Sequence, residues 1–136
     1  MAEEALLLNG IRKSFNIGSS AEVEILHGID LRPDHGASCA LISPSGSGKV
    51  TQINIIGLLD RQSAGRLAIG GQVADCLDNA ALTQLRGRSI GFVCRALNLI
   101  PAFTATENVM MPMLLNRGWP DAAMRGAAEA LLTAWG

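Results

Sequence analysis

The chain is poor in the residue types that mark several functional classes. It has no tyrosine, aromatic residues make up 4%, and charged residues make up only 17% of its 136 positions. With a formal net charge of −1, it lacks the positive surface with which proteins bind nucleic acids or anionic membranes. Hydrophobic residues account for 49% of the chain, which is typical of one ordinary globular domain.

Metal-binding residues are few and scattered. The chain has three cysteines and two histidines, and no Cys-x-x-Cys pair occurs. We therefore predict no zinc site. We expect Cys39, Cys76 and Cys94 to be reduced thiols that behave as small hydrophobic residues, without a disulfide framework.

Long hydrophobic runs are also missing. No stretch approaches the 18 or so apolar residues of a membrane span, and the first residues are acidic where a secretory leader is positively charged. We expect the chain in the cytosol, reaching the inner face of a membrane only through partners.

One segment has the sequence of a phosphate-binding loop. Residues 43–51 read Ser-Pro-Ser-Gly-Ser-Gly-Lys-Val-Thr, close to the pattern of Gly, four residues, Gly-Lys and Ser or Thr. We predict a buried strand at residues 39–42 before it and a helix at 51–59 after it. In that context backbone N–H groups and the helix N-terminus surround an anion, and Lys49 adds a full charge. The alternative is a Gly-Ser-rich turn with a solvated Lys49.

Two positions depart from this pattern. Ser43 replaces the first Gly, and Val50 replaces the hydroxyl residue that coordinates magnesium. Thr51 cannot take over, because one helical step rotates a side chain by about 100°. We expect phosphate binding to survive and metal-assisted hydrolysis to be lost.

The remaining pattern predicts a mixed α/β chain. The capping-box sequence Thr104 to Glu107 should begin a helix that Pro112 kinks or ends early, and another helix from Asp121 should place Met124, Ala128, Leu131, Leu132 and Trp135 on one side. Further strands are predicted at residues 5–8, 23–26, 66–69 and 89–94, a helix at 78–88 capped by Asp78 or Asn79, and turns at 16–20, 33–36 and 63–65.

Several segments in a fixed order resemble an ATP-binding-cassette transporter ATPase, closest to the branch that serves lipoprotein release and macrolide export. They are Leu-His-Gly-Ile-Asp-Leu at 26–31, Ile-Ile-Gly-Leu-Leu-Asp at 55–60, the stretch at 90–101 that ends in Asn-Leu-Ile-Pro, and Thr-Ala-Thr-Glu-Asn-Val at 104–109. The resemblance covers nearly all of this chain and about the first half of such a domain.

The resemblance implies a truncated P-loop NTPase fold of the α/β class, with an N-terminal antiparallel β portion, a partial parallel core sheet and the start of a helical subdomain. Residues 1–136 would form one partial nucleotide-binding domain, with about 1–103 as core and β portion and 104–136 as helical subdomain. The sheet would keep an open apolar edge, so we expect marginal stability or association with another chain.

The resemblance also implies two binding residues outside the loop. Phe15 matches the aromatic residue that stacks on adenine; otherwise it is a core or strand-end residue. Arg95 stands where the family has a Gln that senses metal and attacking water. In this place Arg95 would repel magnesium or pair with a phosphate. The alternative is that Arg95 is an exposed loop residue. The predicted nucleotide-binding set is Phe15, Ser43, Pro44, Ser45, Gly46, Ser47, Gly48, Lys49, Val50, Thr51 and Arg95.

No catalytic residue and no metal ligand is assigned. The chain has no match to the family's signature sequence Leu-Ser-Gly-Gly-Gln, its acidic strand end or its switch His. Three functions remain open: an ATP-binding transporter subunit working with transmembrane subunits and a second ATP-binding subunit, a module that binds nucleotide weakly or docks without turnover, and a remnant without nucleotide binding. ATP would bind weakly, and magnesium binding is doubtful.

Overall fold

The computed structural model describes residues 4–96 and 98–135. These residues form two compact units, and the boundary between the units lies between Phe92 and Val93. The elements are four strands and four helices: β1 (Leu6–Phe15), β2 (Val23–Leu31), α1 (Lys49–Ile56), β3 (Ala64–Ile69), β4 (Gln72–Val73), α2 (Asn79–Ser89), α3 (Ala105–Arg117) and α4 (Ala122–Trp135).

The first unit is built on an antiparallel sheet with the strand order β2-β1-β3-β4. This confirms the predicted antiparallel β portion, although β1 and β2 run well beyond the predicted segments and β4 was not predicted. β1 lies between β2 and β3, and its Leu8 and Ile11 are fully buried. Between them the register shifts at Asn9 and Gly10, where the Asp30 carboxylate accepts a hydrogen bond from the Gly10 N–H at 2.7 Å.

The core of this unit joins the sheet to α1 and α2. Apolar residues of α1, α2 and the turn after α1 pack with the buried residues of β1, β2 and β3; the cluster comprises Leu8, Ile11, Leu26, Ile55, Leu58, Leu67, Ile69, Ala74, Leu82 and Leu85. Asp78 caps α2, accepting from the Ala81 N–H at 2.8 Å, as predicted. α1 begins two residues before the predicted helix and ends three residues before its predicted end.

Two strand predictions are wrong. Residues 39–42 and 89–94 form no strand, and Ile42 and Val93 are fully exposed. A buried parallel strand needs a neighbour that accepts its hydrogen bonds, and the strands of the described part pair only with one another. All three cysteines are free, as predicted, but they are exposed, so they do not pack as small hydrophobic residues.

The second unit pairs α3 with α4 around Met110, Met124 and Ala128. α3 runs on to Arg117, so of the two outcomes predicted for Pro112 the early end is wrong, and a kink stays a prediction. On α4 the apolar side is only partly covered, since Leu131 is 52% and Trp135 is 89% exposed. In the part of the chain that the structure describes, no helix has the length and hydrophobicity needed to cross a membrane.

The N-terminus of α3 is fixed by side chains. The predicted capping box is present: Thr104 Oγ1 accepts from the Glu107 N–H at 3.3 Å and Glu107 Oε2 accepts from the Thr104 N–H at 2.8 Å. These hydrogen bonds from Thr104 lower the pKa of Glu107. Asn108 ties down the preceding loop, donating to the Ile100, Phe103 and Thr104 carbonyls and accepting from the Ile100 N–H.

Replacing the cap should loosen α3. Thr104→Ala removes the acceptor of the Glu107 N–H, a change worth about 1 kcal/mol. We expect α3 amides to exchange with deuterium about fivefold faster, measured by mass spectrometry. Thr106→Ala, two residues into the same helix, is the control and should leave exchange nearly unchanged. Equal exchange in both variants would contradict a capping role.

Candidate phosphate-binding site

Residues 43–51 form a compact loop that leads directly into α1. The chain turns at Ser45 and Gly46, and Gly46 and Gly48 have φ angles of 80° and 87°. These are left-handed conformations that glycine adopts without a Cβ penalty. Gly48 is followed at once by the first residue of α1. The loop therefore ends at a helix N-terminus, where unpaired N–H groups carry partial positive charge.

Gly48 also fixes the loop against the sheet. A Cβ on this residue would lie 3.0 Å from both Ile25 Cγ2 and Leu26 Cδ2 and 3.3 Å from the Ile25 carbonyl oxygen. The backbone at Gly48 thus lies in close contact with β2. This contact sets the position at which α1 begins relative to the sheet.

The Lys49 side chain folds back over the loop. Its Nζ donates to the Ser43 carbonyl at 2.5 Å and the Pro44 carbonyl at 2.6 Å, and it reaches Ser43 Oγ at 3.2 Å. Ser47 closes the loop by donating from Oγ to the Pro44 carbonyl at 2.8 Å. A positive charge held by neutral oxygens within a loop can attract a phosphate group.

Ser43 takes part in this arrangement. Its Oγ lies 2.5 Å from Ser47 Oγ, so the hydroxyl at the position of the usual first Gly bonds within the loop. The replacement is accommodated without a break in the loop.

The side chain at position 50 offers no oxygen ligand to a magnesium ion. Val50, where the pattern has a hydroxyl, is apolar and 72% exposed, and Thr51 is one helical step away. Among residues 4–96 and 98–135, no three His, Cys, Asp or Glu side chains come together in a way that could hold a metal ion. We assign no catalytic step to a metal here.

Phe15 ends β1 and is 42% exposed, so it is a strand-end residue and not part of the core. Lys13 Nζ lies over its ring, 4.9 Å from the centroid. The role predicted for Phe15 stays a prediction, as does that of Arg95, which is exposed and belongs to the second unit.

Sequence reasoning missed the ion pair beside Phe15. Lys13 Nζ donates to Asp60 Oδ1 at 2.7 Å and to the Arg61 carbonyl at 2.7 Å. Burial acts to raise the pKa of Asp60, but the hydrogen bonds from Lys13 and from the Arg61 N–H, with the charge of Lys13, outweigh it and lower the pKa. The sequence spacing of Lys13 and Phe15 could have placed them on one face of a strand, but nothing local points to Asp60.

Alanine substitutions at Gly46 and Gly48 should destabilise the protein to different extents, because only Gly48 is crowded by β2. Gly46→Ala should lower the free energy of unfolding by about 1–2 kcal/mol through backbone strain alone, since its Cβ would meet open space. Gly48→Ala adds overpacking against β2, about 1–3 kcal/mol more. Urea denaturation followed by circular dichroism measures both, and equal losses would contradict the contact with β2.

The chain is similar to known ATP-binding proteins, although no protein-family model matches it. LolD 1, the lipoprotein-releasing system ATP-binding protein of Rhodopseudomonas palustris, is 58% identical over 129 residues, which is 95% of this chain and 57% of that protein. LolD of Anaeromyxobacter dehalogenans is 44% identical, over 97% of the chain and 55% of its own length. The pyoverdine export ATP-binding/permease protein PvdT of Pseudomonas fluorescens is 42% identical, over 92% of the chain and 19% of that protein.

The solved structures that resemble this chain are also ATP-binding cassettes. A dimeric ATP-binding cassette in a post-hydrolysis state, bound to ADP and Pi, matches with a TM-score of 0.82 and 35% identity, over 94% of this chain and 56% of that one. Another dimeric structure of the same cassette, MJ0796, matches with a TM-score of 0.69 and 33% identity, over 88% of this chain and 52% of that one. These matches confirm the resemblance and the α/β ATP-binding-cassette fold class. The predicted partial parallel core sheet does not form among the described residues, whose strands all pair antiparallel. The chain spans about half the length of the LolD relatives described above.

Proposed function

Since the chain corresponds to the N-terminal part of an ATP-binding-cassette ATPase, we propose that it binds the phosphates of ATP through residues 43–51 and does not hydrolyse the nucleotide by itself. The observation that carries this proposal is the loop geometry: two left-handed glycines, a helix beginning at Lys49, and the Lys49 ammonium folded over the loop. Backbone N–H groups so arranged surround an anion with fixed partial charge.

The side chain at position 50 matters for hydrolysis of the nucleotide and not for binding of its phosphates. Phosphate contacts come from the backbone and from Lys49, and none of them needs the side chain at position 50. Hydrolysis in P-loop enzymes needs magnesium held by a hydroxyl at this position and by an acidic residue. Val50 supplies no oxygen, so we expect weak binding of ATP without strict dependence on magnesium.

The relatives suggest where such binding would be used. LolD proteins are described as ATP-binding proteins of a lipoprotein-releasing system, and PvdT combines ATP-binding and permease parts in one protein. We propose that this chain likewise works at the cytoplasmic face of a membrane with transmembrane subunits, and with a second ATP-binding subunit like those in the dimeric cassettes. Docking on these partners without nucleotide is the second candidate, favoured by the loss of the metal-binding hydroxyl.

Lys49→Ala tests the phosphate loop. Calorimetric titration should show that wild-type protein binds both ATP and tripolyphosphate, and that the variant loses both, because the only charged side chain of the loop is removed. At a ligand concentration of about ten times Kd, binding should add about 1.4 kcal/mol of stability in a thermal melt. Arg88→Ala, an exposed cation at the end of α2, is the control. Binding that survives in Lys49→Ala would refute the site.

Val50→Ser tests the loss of the metal site. If the loop has the proposed geometry, the new hydroxyl should strengthen ATP binding in the presence of magnesium by about tenfold or more, since even outer partners of metal ligands are worth about 10–100-fold. Val50→Ala is the matched control, because it shortens the side chain without adding an oxygen. Titrations with and without magnesium that remain equal in Val50→Ser would show that position 50 does not face the bound phosphates.

A further inference from the structure

Lys13 is held in place more firmly than a surface lysine. Its side chain is only 12% exposed, and two bonds of 2.7 Å fix its ammonium, one to the Asp60 carboxylate and one to the Arg61 carbonyl. These partners lie in the turn that follows α1. The ammonium is therefore a fixed charge between β1 and the end of the helix that begins at the phosphate loop.

The fixed charge lies over an aromatic ring. Lys13 and Phe15 are two residues apart on β1, so their side chains share one face of the strand. Nζ is 4.9 Å from the ring centroid, within the range of a cation–π contact. One face of the Phe15 ring is attracted to the ammonium, while 42% of the residue remains exposed.

The sheet register places this pair close to the loop. Lys13 is opposite Leu26, and Phe15 is opposite Val23. Leu26, with Ile25, is the residue against which Gly48 lies. The ring is thus within a few residues, along neighbouring strands, of the point at which the loop enters α1.

We propose that Lys13 is a positioning residue for nucleotide binding: held by Asp60, its ammonium fixes the Phe15 ring so that the open face of the ring stacks on the base of the nucleotide. This inference rests on the proposed function and on the stacking role that the resemblance implies for Phe15, and what it adds is the residue that positions the ring. A ring with a cation on one face stacks well on an electron-rich purine, and a ring fixed beforehand loses less entropy on binding.

The affinities for ATP and for tripolyphosphate, which has no base, together test the positioning role of Lys13. Lys13→Met removes the charge and keeps the length of the side chain. We expect ATP to bind about threefold to thirtyfold more weakly to this variant, the range expected for a cation–π contact, and tripolyphosphate to bind as in the wild type. Phe15→Ala should show the same pattern, and the double variant should bind ATP no more weakly than Phe15→Ala alone.

Two further variants serve as controls. Lys13→Arg keeps the cation and should restore most of the ATP affinity. Arg12→Met removes the neighbouring cation, which pairs with Glu24 at 2.8 Å and should affect neither ligand. If Lys13→Met does not fold, Asp60→Asn, which frees the ammonium without removing it, is measured by the same criteria.

The outcomes separate the two proposals. If the Lys13 variant weakens both ligands equally or neither of them, the positioning role is wrong while phosphate binding stands. If Phe15→Ala leaves ATP affinity unchanged, the ring does not stack on the base and the role is again wrong. If wild-type protein binds neither ATP nor tripolyphosphate, the proposed function fails and this inference fails with it.

Discussion

The contact between Gly48 and β2 is the constraint on which the candidate site depends. Because Gly48 has no side chain, its backbone lies against Ile25 and Leu26, and the helix that follows begins at a fixed place on the sheet. The far end of the same helix leads to Asp60, which Lys13 of β1 holds by an ion pair. The segment between loop and turn is thus attached to the sheet at both ends, and a loop that is fixed before binding can present its N–H groups to an anion without first being ordered.

Sequence patterns correctly predicted the features that depend on residues close together along the chain. The Asp78 cap, the Thr104 capping box and the glycines of the loop act over three to six positions, and all of them form. The predicted strands at residues 39–42 and 89–94 failed for the opposite reason: an apolar run becomes a strand only if another strand accepts its hydrogen bonds. The Lys13–Asp60 pair joins residues 47 positions apart, and no local pattern encodes such a contact.

The exposed apolar segments also bear on the expectation of an open sheet edge. Ile42 is 92% exposed, although the composition of its segment is that of a buried strand, and exposed apolar side chains of this kind favour association with another chain. The residues proposed to bind phosphate do not depend on such pairing, because they lie within residues 43–51, which contact β2 at Gly48. The loop proposed to bind phosphate is therefore present in a chain that spans about half the length of its LolD relatives, whereas Val50 offers no oxygen to a metal ion.

The most direct test of this account is the response of individual backbone amides to a phosphate ligand. Two-dimensional NMR with ¹⁵N-labelled protein and tripolyphosphate, in the absence of magnesium, should shift the amide resonances of Gly46, Ser47, Gly48 and Lys49 in a saturable way. Amides of α4 should stay where they are. Loop resonances that remain unmoved at every ligand concentration, or that shift no more than those of α4, would contradict a phosphate-binding loop.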